Sequence, residues 1–195
     1  MTALVTLENT FLDMEVSVSS PAAGIGEASM GLTSGEAVPV EQLLYGLLLP
    51  SGNDAAETLA QGLFGGRTSF LYTMNRKAAD LGMYDTFFYN PSGLDETTAQ
   101  TSNFSTGLDL LALTNYALKN EKFAEIVSTH YKDFPENPGK HKAYYLYNIL
   151  QLDWAYPGVR GVKPGITDFA KETLVSYAEL GGKQVIVVLL GSEKS

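Results

Sequence analysis

Apolar residues recur at helical spacing over the first two thirds of the chain, and the last third switches to β-rich runs. Residues 2–9 read as a helix with Ala3, Leu4 and Leu7 on one face and no N-cap ahead of it. Met14, Val16 and Val18 alternate with Glu15, Ser17 and Ser19, the period of a half-buried strand over 13–20. The stretch 21–38 is rich in Gly, Ala and Ser and predicts loop or short β-structure. Leu43, Leu44, Leu47 and Leu48 place an apolar helix over 40–49, which Pro50 ends near Leu49. Ser51-Gly52-Asn53 is then a tight connection into a second helix, 54–64. A third, 68–81, carries Phe70, Met74, Ala78 and Leu81, with Gly82 just past its end. Residues 87–104 predict a loop containing Asn90-Pro91-Ser92-Gly93-Leu94. Thr106-x-x-Asp109 resembles a capping box for a helix over 107–119, and a shorter helix follows near 121–128.

Periodicity is weak over 129–148, where Tyr144, Tyr145 and Tyr147 are expected to serve as core or strand packing rather than as a ligand platform. Residues 173–179 and 184–190 are two β-rich runs joined by Leu180-Gly181-Gly182-Lys183, a hairpin signal. Helices followed by antiparallel strands predict an α+β fold with helices packed on an antiparallel sheet. No linker interrupts the chain, so residues 1–195 are expected to form a single domain.

Composition narrows the chemistry. A net charge of -9 argues against nucleic-acid binding, which needs clustered Lys and Arg. The chain has no cysteine, which removes thiol catalysis and disulfide scaffolds, and its two histidines, His130 and His141, are too few for a histidine-based metal site. No metal or other cofactor is expected. No apolar run reaches the length of a membrane span, and Met1–Val5 lacks the basic start of an export signal.

Two short strings could carry chemistry. Ser51 and Asn53 at the mouth of a helix would ordinarily be caps. If both point into a cleft, the hydroxyl can relay a proton and the carboxamide can hold a substrate amide. Lys163-Pro164-Gly165, just before the β-rich runs, would ordinarily be a solvated turn. In a cleft, Lys163 is a fixed positive charge for a carboxylate, and Gly165 lets a ligand backbone approach closely. Ser-x-x-Lys, Ser-Asp-Asn and Lys-Thr-Gly are the motifs of penicillin-interacting serine hydrolases. The first of these occurs nowhere in the 195 residues.

Longer stretches extend the likeness: residues 1–8, 43–56, Asn90–Leu94, Ser105–Leu110 and 156–168. Through them the chain resembles the D-alanyl-D-alanine carboxypeptidases, the low-molecular-mass penicillin-binding proteins of serine peptidase family S11, over nearly its whole length. The resemblance implies a β-lactamase/transpeptidase-like fold and a serine-type carboxypeptidase that trims peptidoglycan stem peptides. By position, Ser51, Asn53 and Lys163 match catalytic residues, and Gly52, Pro164, Gly165 and Thr167 match substrate-binding positions. It also implies action in the cell envelope, outside the cytoplasm, and reaction with β-lactam antibiotics if the nucleophile is restored.

The missing motif would lie just before Met1, with the family's N-terminal strands ahead of it. The expectation is therefore an N-terminally incomplete catalytic domain, inactive by itself, whose 185–190 strand is left as an apolar edge open to a second copy. Pro164 stands where the family most often has Thr, and Ala170–Leu174 replaces a stretch that usually contains Ala-Gly-Tyr. A non-catalytic relative that binds peptidoglycan or protein is the alternative. A class A β-lactamase ranks last, because its Glu-x-x-Leu-Asn motif does not occur.

Overall fold

The computed structural model describes residues 1–150, 152 and 156–193. The chain runs α1 (Thr2–Asn9), β1 (Glu15–Ser17), α2 (Ser20–Ala23), β2 (Ala37–Pro39), α3 (Val40–Leu48), α4 (Asn53–Gly62), α5 (Arg67–Asp80), α6 (Gly107–Ala117), α7 (Glu121–Val127), β3 (Tyr131–Phe134), β4 (Tyr144–Tyr147), β5 (Val159–Thr167), β6 (Lys171–Leu180) and β7 (Lys183–Ser192). Helices and antiparallel sheets are mixed, as the α+β expectation requires. The β5-β6-β7 sheet stands at one side of the helices, while β1-β2 and β3-β4 form separate two-stranded ribbons.

α1 is the axis of the helical body. Residues Thr2–Thr6 are all buried, so the first turns of the helix are enclosed on every side rather than presenting the single apolar face its spacing predicts, and only its end, at Glu8 and Asn9, is exposed. Its two threonines are accommodated by hydrogen bonds: Thr6 Oγ1 donates to Thr2 O at 2.9 Å and Thr2 Oγ1 to Pro91 O at 2.7 Å. Leu43, Leu44, Tyr45 and Leu49 from α3 and its end, Ala55 and Leu59 from α4, and Phe70 and Met74 from α5 complete the core around it.

Several elements differ from expectation for local reasons. The strand over 13–20 shrinks to Glu15–Ser17, because Ser19 Oγ accepts from Ala22 N and caps a short helix with Pro21 in its first turn. Thr106 Oγ1 accepts from Asp109 N as a capping box demands. The Asp109 carboxylate, however, accepts from Asp85 N and the Thr86 hydroxyl and ties α6 to the preceding loop instead.

Lys163-Pro164-Gly165 is not a turn before a strand. It lies inside nine-residue β5, with Lys163 opposite Val175 and Pro164 opposite Leu174. A proline fits there because β5 pairs only with β6 among the described residues, leaving its other side without a ladder. The β6–β7 hairpin closes on Gly181 and Gly182, both at positive φ (60° and 75°), as a two-residue turn of the twist-compatible kind requires.

Candidate active site

The connection between α3 and α4 is fixed before any chemistry is placed on it. Asp54, at the start of α4, is fully buried, and its carboxylate accepts five hydrogen bonds. Oδ1 takes Met30 N and Ala55 N, both at 2.9 Å. Oδ2 takes Ser29 Oγ (2.6 Å), Gly31 N (3.0 Å) and Leu32 N (2.9 Å). A buried carboxylate is tolerable only with such saturation, and here it pins the 29–32 segment against α4. Gly52 is held in the same knot. Its N–H donates to Gly46 O at 2.9 Å, and a Cβ on it would meet Asp54 Oδ1, Gly46 O and Met30 N at 2.8–2.9 Å. Gly52 is thus required by packing.

Ser51 is the half-buried end of this knot. It has φ +65, a left-handed backbone conformation that non-glycine residues rarely take, and its hydroxyl has no hydrogen-bond partner among the described residues. Asn53 is buried, donates from Nδ2 to Gly26 O at 3.2 Å, and receives no bond at Oδ1 among the described residues.

Ser51 lines a cavity of about 230 Å3. Its walls come from the start of α1 (Met1, Thr2), the Asn90–Leu94 loop (Pro91, Ser92), the inner face of α6, and Val162, Lys163 and Val175 of the sheet. Sequence positions from one end of the chain to the other therefore meet here. The loop wall is stiffened by Asn90, whose Nδ2 donates to Leu94 O and Glu96 Oε1 while Oδ1 accepts from Gly93 N at 2.7 Å.

Lys163 faces the cavity, and its ammonium donates to Pro164 O at 2.8 Å. Enclosure by protein removes part of its hydration and lowers its pKa to about 8. The apolar walls are the reason: Leu47, Leu110, Leu113 and Val175 offer the ammonium no polar contact.

Of the candidate residues, the cavity brings together Ser51 and Lys163. Asn53 and Gly52 lie behind Ser51, and Pro164, Gly165 and Thr167 lie farther along β5, outside the cavity lining. Gly165 has a cross-strand reason for lacking a side chain, since a Cβ would come within 2.9 Å of Thr173 Oγ1. Thr167 Oγ1 accepts from Ala170 N at 3.0 Å and shapes the β5–β6 turn. Asp54 and Asn90 are positioning residues that lay within the stretches carrying the resemblance but were not named among the site residues. Each looked like an ordinary helix-start or turn residue.

A larger depression of about 730 Å3 lies between α6 and the β6–β7 hairpin; Leu108, Leu111, Leu118, Tyr177 and Ile186 line it with Asn115, Lys119 and Gln184, and among the described residues no Ser, Asp, Glu or His does. Among the described residues no three His, Asp or Glu side chains converge as metal ligands would.

This arrangement has close counterparts. The family described as D-alanyl-D-alanine carboxypeptidase matches residues 1–194. The chain is 37% identical over 189 residues to D-alanyl-D-alanine carboxypeptidase DacB2 of Mycobacterium tuberculosis, covering 96% of this chain and 62% of that protein. It is 34% identical over 178 residues to DacF of Bacillus subtilis, covering 91% and 44%. It therefore spans about half the length of these relatives.

Among solved structures, a D-alanyl-D-alanine carboxypeptidase from M. tuberculosis H37Rv superposes with TM-score 0.91 at 34% identity, over 100% of this chain and 71% of that one. The Streptomyces K15 DD-transpeptidase superposes with TM-score 0.90 at 34% identity, over 99% and 78%. With sequence and fold in agreement from one end to the other, the chain belongs to the D-alanyl-D-alanine carboxypeptidase family, peptidase S11.

Proposed function

We propose that these residues form the substrate-binding wall of a serine-type D-alanyl-D-alanine carboxypeptidase that trims peptidoglycan stem peptides in the cell envelope, outside the cytoplasm. The observation that carries the reading is the meeting of a free Ser51 hydroxyl and a partly desolvated Lys163 in one cavity. Lys163 holds the terminal carboxylate of the peptide. Asn53 and the β5 backbone at Gly165 orient the peptide amide, Gly52 keeps the Ser51 turn tight, and Thr167 shapes the far end of β5. Pro164 has neither hydroxyl nor N–H, so the carboxylate keeps fewer donors than a threonine would supply.

The reaction is acyl transfer. A serine oxygen attacks the carbonyl between the two D-alanines and passes its proton to a lysine. The C–N bond breaks, and Ser51 relays a proton to the departing amine. D-Alanine leaves, and water hydrolyses the ester. The attacking serine belongs to a Ser-x-x-Lys motif that the 195 residues do not contain. This chain alone is therefore expected to bind and not to turn over, and a β-lactam is expected to acylate only a form that carries the motif. Residues 1–195 are read as a single catalytic domain lacking that element.

Calorimetry with a tripeptide ending in D-Ala-D-Ala, against its C-terminal carboxamide, tests the reading. The free acid should bind at least tenfold tighter than the amide, and Lys163→Met should erase that preference. Equal binding of acid and amide would sink it. Release of D-alanine by the purified chain would overturn the claim that it is inactive by itself.

A further inference from the structure

We propose that Asp95 is a positioning residue of the peptide cleft: a latch that joins the loop wall to the tip of the β5–β6 hairpin and holds the Lys163 strand in place across from Ser51. The two sides of the cleft belong to different parts of the molecule. Ser51, Pro91 and Ser92 stand on the helical body and its loop, whereas Lys163 and Val175 stand on the sheet. The loop is fastened to the helices. Thr2 Oγ1 donates to Pro91 O at 2.7 Å. The Asn75 carboxamide of α5 grips Phe88 twice, Nδ2 donating to its carbonyl and Oδ1 accepting from its N–H, each at 2.8 Å. Asn103 Oδ1 accepts from Tyr89 N and Asn90 N and closes the loop on itself.

Half-buried Asp95 reaches from this fixed loop to the sheet. Its Oδ2 accepts from Phe169 N at 2.8 Å, and among the described residues this is the one hydrogen bond that joins the 87–104 loop to the β5–β7 sheet and its turns. A carboxylate acceptor makes it a stronger bond than a neutral pair would. The hairpin tip is shaped to offer that N–H. Asp168, Phe169 and Ala170 close the Thr167–Lys171 pair as a three-residue turn. Thr167 Oγ1 accepts from Ala170 N at 3.0 Å, and Lys171 sits at φ +59, the left-handed residue with which such a turn rejoins its strand. Ala170 N is thus satisfied inside the turn, and Phe169 N is left for Asp95.

β5 depends on this tether. It pairs only with β6 among the described residues, so no ladder fixes its other side. Packing secures the end near α7, where Val162 is buried and a Cβ on Gly161 would meet Val127 at 3.0–3.2 Å. Asp95 secures the tip. Lys163 and Gly165 therefore lie on a strand supported at both ends, and loss of the Asp95 acceptor leaves it supported at one. The latch follows from this geometry alone. Only the statement that the supported strand receives a peptide rests on the proposed carboxypeptidase reading.

Two variants test it: Asp95→Ala removes the acceptor, and Asp95→Asn keeps an oxygen in its place. Deuterium exchange of the ligand-free chain reads the latch by itself. In Asp95→Ala the Phe169 amide should exchange about tenfold faster or more, while amides of α1 and α4 and the melting midpoint stay with the parent. Calorimetry with a tripeptide ending in D-Ala-D-Ala reads the consequence: Asp95→Ala should bind about fivefold more weakly or worse, and Asp95→Asn should recover most of the affinity and most of the protection. Parent-like exchange at Phe169 in Asp95→Ala would overturn the latch. So would equal damage in Asp95→Asn, or a fall in melting midpoint with faster exchange throughout, which marks a merely structural role. If the parent binds no peptide while Asp95→Ala loses protection at Phe169, the latch stands and the carboxypeptidase reading falls. If the parent and Asp95→Ala bind the peptide equally, the carboxypeptidase reading stands and the positioning role falls.

Discussion

At φ +65, Ser51 carries backbone strain that a glycine would not. Ser51→Gly should raise stability by up to about 1 kcal/mol while removing the hydroxyl from the cavity. Thermal unfolding paired with peptide binding separates the two effects. Asp54 is the opposite case: Asp54→Ala strands the N–H groups of Met30 and Leu32, while Gly31 N keeps its bond to Ser29 Oγ, and a loss of about 3 kcal/mol is expected in urea unfolding. Lys163 sets a pH limit. Burial lowers its pKa to about 8, so in the free chain its charge fades as pH rises through about 8. Affinity for a peptide carboxylate should fall above that pH and stay flat for the carboxamide, as a calorimetric series would read. Ser51 and Lys163 were legible in the sequence because their neighbours form recognisable strings. Asp54 was not, since an acid in the first turn of a helix already has a reason to be there. Its partners lie in a Gly- and Ser-rich stretch with no periodicity to announce them.

Helices were the legible elements because each buries an apolar stripe with its own period, and Val40–Leu48 and Gly107–Ala117 fall within a residue or two of expectation. The β3–β4 ribbon was not, because its two short strands are separated by Pro135 to Ala143 and held by distant residues. Glu36 is the chief clasp. Its carboxylate accepts from Thr33 N and the Tyr144 hydroxyl, each at 2.7 Å, and from Lys142 N at 3.1 Å. Partial burial pushes its pKa up, but these bonds and the Lys142 charge outweigh that and hold it below the ordinary value. A carboxyl depressed in the folded state contributes stability that is present above its unfolded pKa and is lost as pH falls through the folded one. The chain should therefore lose stability on acidification below about pH 4, and Glu36→Gln should flatten that part of the stability–pH curve. An unchanged acid limb in Glu36→Gln would remove Glu36 from this role.

For the molecule as a whole, the order of helices then strands was enough to predict its layering. What remained hidden was that β5 runs through the Lys163 motif, since a Pro-Gly pair reads as a turn until the unpaired side of the strand is seen. Among the described residues β7 pairs only with β6, and Val185, Val187 and Leu189 are outward and 43–55% exposed. We propose that this edge recruits a second copy. Light scattering across a concentration series should show self-association that Val187→Lys weakens, and a strictly monomeric chain would refute it. The sheet is built from two successive hairpins, and its entry into the core is narrow: Val162 is buried there, with Val175 and Tyr177 packed against it. Contacts so local predict that β5–β7 opens as a unit, with α6 and α7 as the chief neighbouring helices to release, more often than α1 and α4 do. Amides of β6 and β7 should therefore exchange with deuterium ahead of those in α1. Because Ser51 rides on the slow half and Lys163 on the fast half, the seam of that opening runs between them.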